Sequence, residues 1–144
     1  MKAIAQRVKG ARVAVDGETV GEIGTGLLVL AGVTHADTDD DARKLAAKLY
    51  RLRMLEDEQS CESAGAPLLV VSQFTLYGDV RKGRRPSWTK ASGRDHSEPM
   101  YESLVAALRA LGAHVETGRF GEMMEVNSTN SGPFTLIVDT ADLP

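Results

Sequence analysis

Cysteine is nearly absent from this chain. A single residue, Cys61, stands among 144, which excludes an internal disulfide framework and a cysteine-rich zinc site. No apolar run approaches the ~18 residues that a membrane-spanning helix needs. The opening residues Met1-Lys2-Ala3-Ile4-Ala5-Gln6-Arg7 also lack the long apolar segment of a secretory signal. A reduced, cytoplasmic setting with no membrane contact is the expectation. Cys61 lies in the polar stretch Glu58 to Ser63. It reads as an incidental surface thiol, because neighbouring acids disfavour a reactive thiolate. Histidine is scarce too, with three residues, His35, His96 and His114. None sits in a recognisable triad motif, and Ser72 lacks the Gly-x-Ser-x-Gly setting of a nucleophile elbow.

What is present fits one domain over residues 1–144. The hydrophobic share is 42% and the charged share 26%, ordinary for a globular protein. Net charge is −3, but it is unevenly spread. Between Gly78 and Ser97 six cations (Arg81, Lys82, Arg84, Arg85, Lys90, Arg94) face two acids, Asp79 and Asp95. A basic loop on an acidic body suits a local phosphate contact. A merely solvated loop fits the same composition.

Residues 2–9 read as a first strand. Val13-Ala14-Val15, then Asp16-Gly17, then Glu18-Thr19-Val20 is a hairpin signal, since Asp-Gly accepts the positive φ of a tight turn. The run 27–33 is apolar on both faces and predicts a central strand. Thr38 can cap a helix whose first turn carries Asp39, Asp40 and Asp41 and whose apolar face is Ala42, Leu45, Ala46 and Leu49. These three acids have no companion spacing for a metal site. A polar loop over 56–67 precedes a strand over 68–76. A second helix is predicted from Ser97 or Glu98, with Pro99 in its first turn and Gly112 at its end. Three strand-like pieces follow at 113–116, 123–126 and 134–139. This mixed α/β order suggests β-sheets wrapped into a barrel-like core with two flanking helices.

Two segments could carry chemistry. Ser72-Gln73-Phe74-Thr75 closes the strand that begins at Leu68, and Asn130-Ser131-Gly132-Pro133-Phe134-Thr135 opens another. Small polar groups at the end of a rigid strand are well placed for binding or catalysis. They also serve simply to satisfy backbone groups. The Gly132-Pro133 bond can adopt the cis form at small cost and aim successive carbonyls, or it is a plain turn. Arg7, in the first strand, is either exposed or a clamp on a carbonyl or carboxylate.

These segments, in this order, resemble the D-aminoacyl-tRNA deacylase family, also called D-tyrosyl-tRNA deacylase. The likeness runs through Met1 to Val8, Val13 to Glu18, Gly26 to Leu30, Leu69 to Asp79, the basic stretch Arg81-Lys82-Gly83-Arg84-Arg85-Pro86-Ser87, and Glu116 to Gly121 with Met124. There are departures. Ser131 stands where the family usually has Asp, Phe134 where it has Val, and the 56–67 loop is shorter. They bear on substrate preference and pocket shape rather than on the reaction.

The resemblance implies a cofactor-free homodimer that hydrolyses D-aminoacyl-tRNA and glycyl-tRNA. Ser72, Gln73, Phe74 and Thr75 would form the catalytic segment, with the Phe74 and Thr75 amides holding the acyl end. Gly132 and Pro133, in cis, would reject L-substrates in the partner's pocket. Arg7, Met124, Asn130, Phe134 and Thr135 would shape the binding site. Arg81, Lys82, Arg84 and Arg85 would contact tRNA. A non-catalytic RNA-binding module, and a deacylase for another small ester or a different mischarged tRNA, are the competing readings.

Overall fold

The computed structural model describes residues 1–144. Six strands and three helices alternate along the chain: β1 (Lys2–Val15), β2 (Glu18–Ile23), β3 (Gly26–Gly32), α1 (Asp39–Arg51), α2 (Cys61–Ala64), β4 (Leu68–Ser72), α3 (Arg94–Ala110), β5 (Val115–Thr117) and β6 (Glu125–Asp139). The sheet order is β2-β1-β3-β4-β5, with β6 added along β1. Strands β1, β2, β3 and β6 pair antiparallel with β1 as the hub. Strands β3, β4 and β5 are parallel, so α1 and α3 serve as their crossovers.

Alternation along the strands separates two apolar layers. Leu27, Val29, Leu68 and Val70 face the helices and pack with Leu45, Leu49, Leu104 and Leu108. Leu28, Leu69 and Val71 face the other way and fill the barrel with Val8, Val13 and Ile23. This is why the 27–33 run is apolar on both faces. Leu45, Leu49, Leu104 and Leu108 are fully buried, and truncating any one to Ala costs about 2–5 kcal/mol. The sheet comes close to closing. A Cβ on Gly21 of β2 would meet the Thr117 carbonyl oxygen of β5 at 2.2 Å, so glycine there lets the two edges meet.

The hairpin and the first helix form where their local signals place them. Asp16 and Gly17 both take positive φ. Thr38 N donates to Asp41 Oδ2 at 2.8 Å, and that bond holds the Asp41 carboxyl below its usual range. Other boundaries differ from expectation. The strand over 2–9 and the hairpin's first arm are one strand, β1. The last two strand-like pieces are likewise parts of one strand, β6, which is exposed over most of its length. Strand β4 ends at Ser72 rather than 76, because the chain turns there into a 3₁₀ segment, Phe74–Tyr77. Helix α3 begins at Arg94: the Gly93 carbonyl accepts from His96 N (3.1 Å) and Ser97 N (2.9 Å), starting the first turn earlier. Pro99 therefore sits inside the helix, not in its first turn.

Cys61 is not a surface thiol. It opens α2 and is buried against the helix-side core, and burial pushes its pKa up to about 12. The flanking acids point outward while the helix turns the thiol inward. Met1 is also drawn in. Its ammonium donates to Asp37 Oδ1 and Thr140 Oγ1, both at 2.6 Å, and ties the start of β1 to the end of β6.

Candidate functional site

Two sites can be built from the residues singled out, and they lie at different ends of the sheet. The first is where β4 stops. Ser72 aligns with Ala31 of β3, and Gln73 N donates to the Ala31 carbonyl at 2.7 Å. The backbone then leaves the extended region at Gln73 and enters the Phe74–Tyr77 turn, with no side-chain cap. The first amides of such a turn have no partner inside it. The N–H groups of Phe74 and Thr75 are thus presented together. The Gln73 side-chain amide donates to the Thr75 hydroxyl.

Beside this turn is a cavity of about 340 Å³, lined by Ser72, Gln73, Phe74, Tyr101, Phe120 and Met124 among others. Met124 packs so tightly on Gly118 that a Cβ there would meet its sulfur at 2.6 Å. The Tyr101 hydroxyl donates to the Val70 carbonyl at 2.7 Å. Burial pushes that phenol up to about 12, so it stays neutral and is no proton shuttle at pH 7. Each histidine is engaged elsewhere: His35 with the Thr89 carbonyl, His96 with the Asp37 carbonyl, His114 beside Glu116. Neither Ser72 nor Thr75 has a base beside it. No cluster of His, Cys, Asp or Glu gathers that could hold a metal ion.

The second site is centred on Arg7. In the β1–β6 ladder Gln6 faces Thr135 and Val8 faces Asn130. Residues 131–134 therefore stand opposite Arg7 alone, an enlarged bulge that leaves Gly132 and Pro133 without ladder partners on β1. Arg7 holds the bulge by its guanidinium. Its Nε donates to the Ser131 carbonyl and its Nη2 to the Gly132 carbonyl, both at 2.9 Å. The guanidinium carbon lies 4.7 Å from the centre of the Phe134 ring. Asn130 Nδ2 donates to the Arg7 carbonyl and Gln6 Nε2 to Thr135 Oγ1, each at 3.0 Å. The Gly132-Pro133 bond is cis. Arg7 and Ser131 also line a separate cavity of about 610 Å³, together with Lys9, Glu56, Asp57 and Gln59.

Arg7, Asn130, Gly132, Phe134 and Thr135 thus form one cluster. Ser72, Gln73 and Phe74 form another, and Met124 belongs with them. One chain does not unite the two. Ser72 aligns with Ala31, Ala31 with Ala3 and Ala3 with Val138. Arg7 lies four residues further along β1. Three interstrand steps across and four residues along put the clusters on the order of 20 Å apart.

The basic loop is a built hairpin. Asp79 and Ser87 exchange two backbone hydrogen bonds of 2.8 Å at its neck. Asp79 accepts from Arg81 Nη2 at 2.6 Å, and this bond holds its carboxyl far below the usual range. Lys82, Arg84 and Arg85 are exposed at the tip. Trp88, just past the neck, escaped the sequence reading. A lone tryptophan in a basic segment was the signal for it.

Residues 4–139 match the family described as D-Tyr-tRNA(Tyr) deacylase. A D-aminoacyl-tRNA deacylase of Streptomyces coelicolor is 61% identical, over 96% of this chain and 99% of that protein. One from Micrococcus luteus is 58% identical, over 99% of this chain and 96% of that protein. A solved structure described as c-Myc DNA Unwinding Element Binding Protein superposes with a TM-score of 0.89 at 35% identity, covering 96% of this chain and 98% of its own. With both signature segments and the whole sheet inside these matches, the chain belongs to the D-Tyr-tRNA(Tyr) deacylase family.

Proposed function

We propose that residues 1–144 act as one D-aminoacyl-tRNA deacylase domain, hydrolysing the ester between a D-amino acid and the 3′-terminal ribose of tRNA. What carries this reading is the 61% identity to a protein of that name across 96% of the chain. The paired amides at Phe74 and Thr75 supply the matching chemistry. They sit where an ester carbonyl oxygen would gain negative charge as water adds, and donors fixed in advance favour that step. Water adds to the carbonyl carbon, the ribose oxygen leaves and takes up a proton, and the D-amino acid and tRNA are released. With no base beside Thr75 or Ser72, the adjacent 2′-hydroxyl of the ribose is the group that assists the attack. No cofactor enters the scheme.

The working site needs two copies of the chain. The Arg7-held Gly132-Pro133 bulge cannot reach the Phe74 amides of its own subunit, but a two-fold symmetric pair can bring each bulge to the partner's turn. The exposed face of β6, with Phe134 37% and Ile137 74% exposed, supports such a pairing. The Gly132-Pro133 backbone then lies beside the substrate's α-carbon and leaves no room for an L side chain. A D side chain points away, and glycine has none, so glycyl-tRNA is also a substrate. Selectivity of this kind works by exclusion. The basic hairpin, with Arg81, Lys82, Arg84 and Arg85, holds tRNA phosphates, and the enzyme works in the cytoplasm.

The test is deacylation of matched D-, L- and glycyl-tRNA by purified protein, with its mass measured by light scattering. Hydrolysis of the D- and glycyl esters by a dimer is expected. Equal rates on D- and L-esters, or full activity in a monomer, would overturn the selectivity and the assembly respectively.

A further inference from the structure

Trp88 is the one tryptophan of the chain, and it is neither buried nor loose. Its ring rests on the Gly78 backbone, where a Cβ would meet Cζ3 at 2.7 Å. Phe74 meets it edge-on, with ring centres 5.4 Å apart and planes at 67°. The next residues are stapled as well: His35 Nε2 lies 2.7 Å from the Thr89 carbonyl, and Thr34 Oγ1 donates to the Lys90 carbonyl at 2.5 Å. Yet Trp88 is 44% exposed and Phe74 57%. A rigid aromatic corner left open to water is costly unless something covers it.

Its position says what covers it. On one side is the hairpin tip with Lys82, Arg84 and Arg85. On the other, through Phe74, are the amides of the candidate ester site. Trp88 does not line the cavity at that site, but it touches Phe74, which does, and it directly follows the Asp79–Ser87 neck of the basic hairpin. Aromatic rings flanked by cations are the usual platform for unpaired nucleobases.

We propose that the Trp88–Phe74 corner stacks a base of the unpaired 3′ end of the tRNA substrate, steering the terminal ribose toward the Phe74 and Thr75 amides. This rests on the deacylase reading above. It adds a nucleobase subsite that acts beside, and separately from, the phosphate contacts of the hairpin.

The single indole makes the test direct. Fluorescence of the full chain is titrated with uncharged tRNA and with the same tRNA trimmed of its unpaired 3′ nucleotides, binding of both being followed by anisotropy. Intact tRNA should change the Trp88 signal saturably, and trimmed tRNA should bind without that change. Trp88→Ala should weaken binding of intact tRNA by roughly ten-fold with the same salt slope, and Trp88→Phe should recover most of it. An indole signal unmoved by bound tRNA, or moved equally by trimmed tRNA, would overturn the proposal. So would an indole already fully shielded from a neutral quencher in the RNA-free dimer, which would mean that the partner subunit covers the corner. Deacylation by the wild-type protein separates the two levels. Activity with an unmoved indole removes only the stacking subsite, whereas no binding and no activity removes the deacylase reading itself.

Discussion

The Arg7 guanidinium and the Gly132 carbonyl are 2.9 Å apart across the β1–β6 ladder. With the Ser131 carbonyl at the same distance and the Phe134 ring stacked on it, Arg7 fixes a four-residue bulge from three sides. No other side chain has the flat fork needed to reach two carbonyls and a ring face at once.

Arg7→Lys should therefore lower kcat/KM on D-aminoacyl-tRNA by about ten-fold or more. The melting temperature should move by only a few degrees, because lysine keeps one of the two contacts and a partly exposed hydrogen bond contributes on the order of 1 kcal/mol. Steady-state kinetics beside a thermal melt decides it. An unchanged rate would make Arg7 a plain strand residue.

Gly132→Ala separates folding from function. A Cβ there meets nothing closer than Asn130 Oδ1 at 3.9 Å, so the isolated chain has room for it. We expect unaltered stability and a loss of activity toward every substrate, since the methyl group would enter the partner's pocket. Activity equal to wild type would remove Gly132 from the site.

Thr75→Ala should keep substantial activity, because the stabilising group is the backbone amide and the hydroxyl has no base to activate it. A substrate lacking the terminal 2′-hydroxyl should bind but turn over poorly. A trapped acyl-enzyme on Thr75, or a loss of about 1,000-fold with folding intact, would point to covalent catalysis instead.

Replacing Arg81, Lys82, Arg84 and Arg85 with Ala should weaken tRNA binding and flatten its salt dependence. Hydrolysis of substrate already bound should change little. Measuring affinity at several salt concentrations reads this out, and an unchanged slope would make the tip a solvated loop only.

Cys61 gives a pH signature. Its thiol titrates near 9 when free and at about 12 when folded, so the folded state favours the protonated form. That contribution to stability is complete below pH 9 and is lost as pH rises toward 12. Denaturant unfolding across this window should show falling stability, with a shallower fall in Cys61→Ala. Native protein should resist thiol alkylation at pH 8 and react once unfolded. Rapid labelling of the native chain would contradict the burial.

Much of this molecule was legible locally. Asp16-Gly17 specified its turn because few residue pairs tolerate positive φ. Thr38 with Asp41 specified the start of α1 through a bond three residues long. The run from Leu27 could only be a strand buried on both sides. The two signature segments carried the family and the identity of the candidate site residues.

Tertiary structure decided what depends on partners far along the chain. Strand β6 is polar and exposed through its first half, so no periodicity announces it; it is extended because β1 offers it a ladder more than 100 residues away. The same ladder, by placing four residues opposite Arg7, made that side chain a clamp rather than a surface cation. Cys61 is buried although its sequence neighbours are polar, because its neighbours in sequence are not its neighbours in space. Trp88 gained its meaning only when the Asp79–Ser87 neck set it on Gly78 against Phe74. The distance between the two signatures was also invisible. Spacing in sequence carries no sign of which end of a sheet a segment reaches, and that separation is what makes a second copy of the chain necessary for the site proposed.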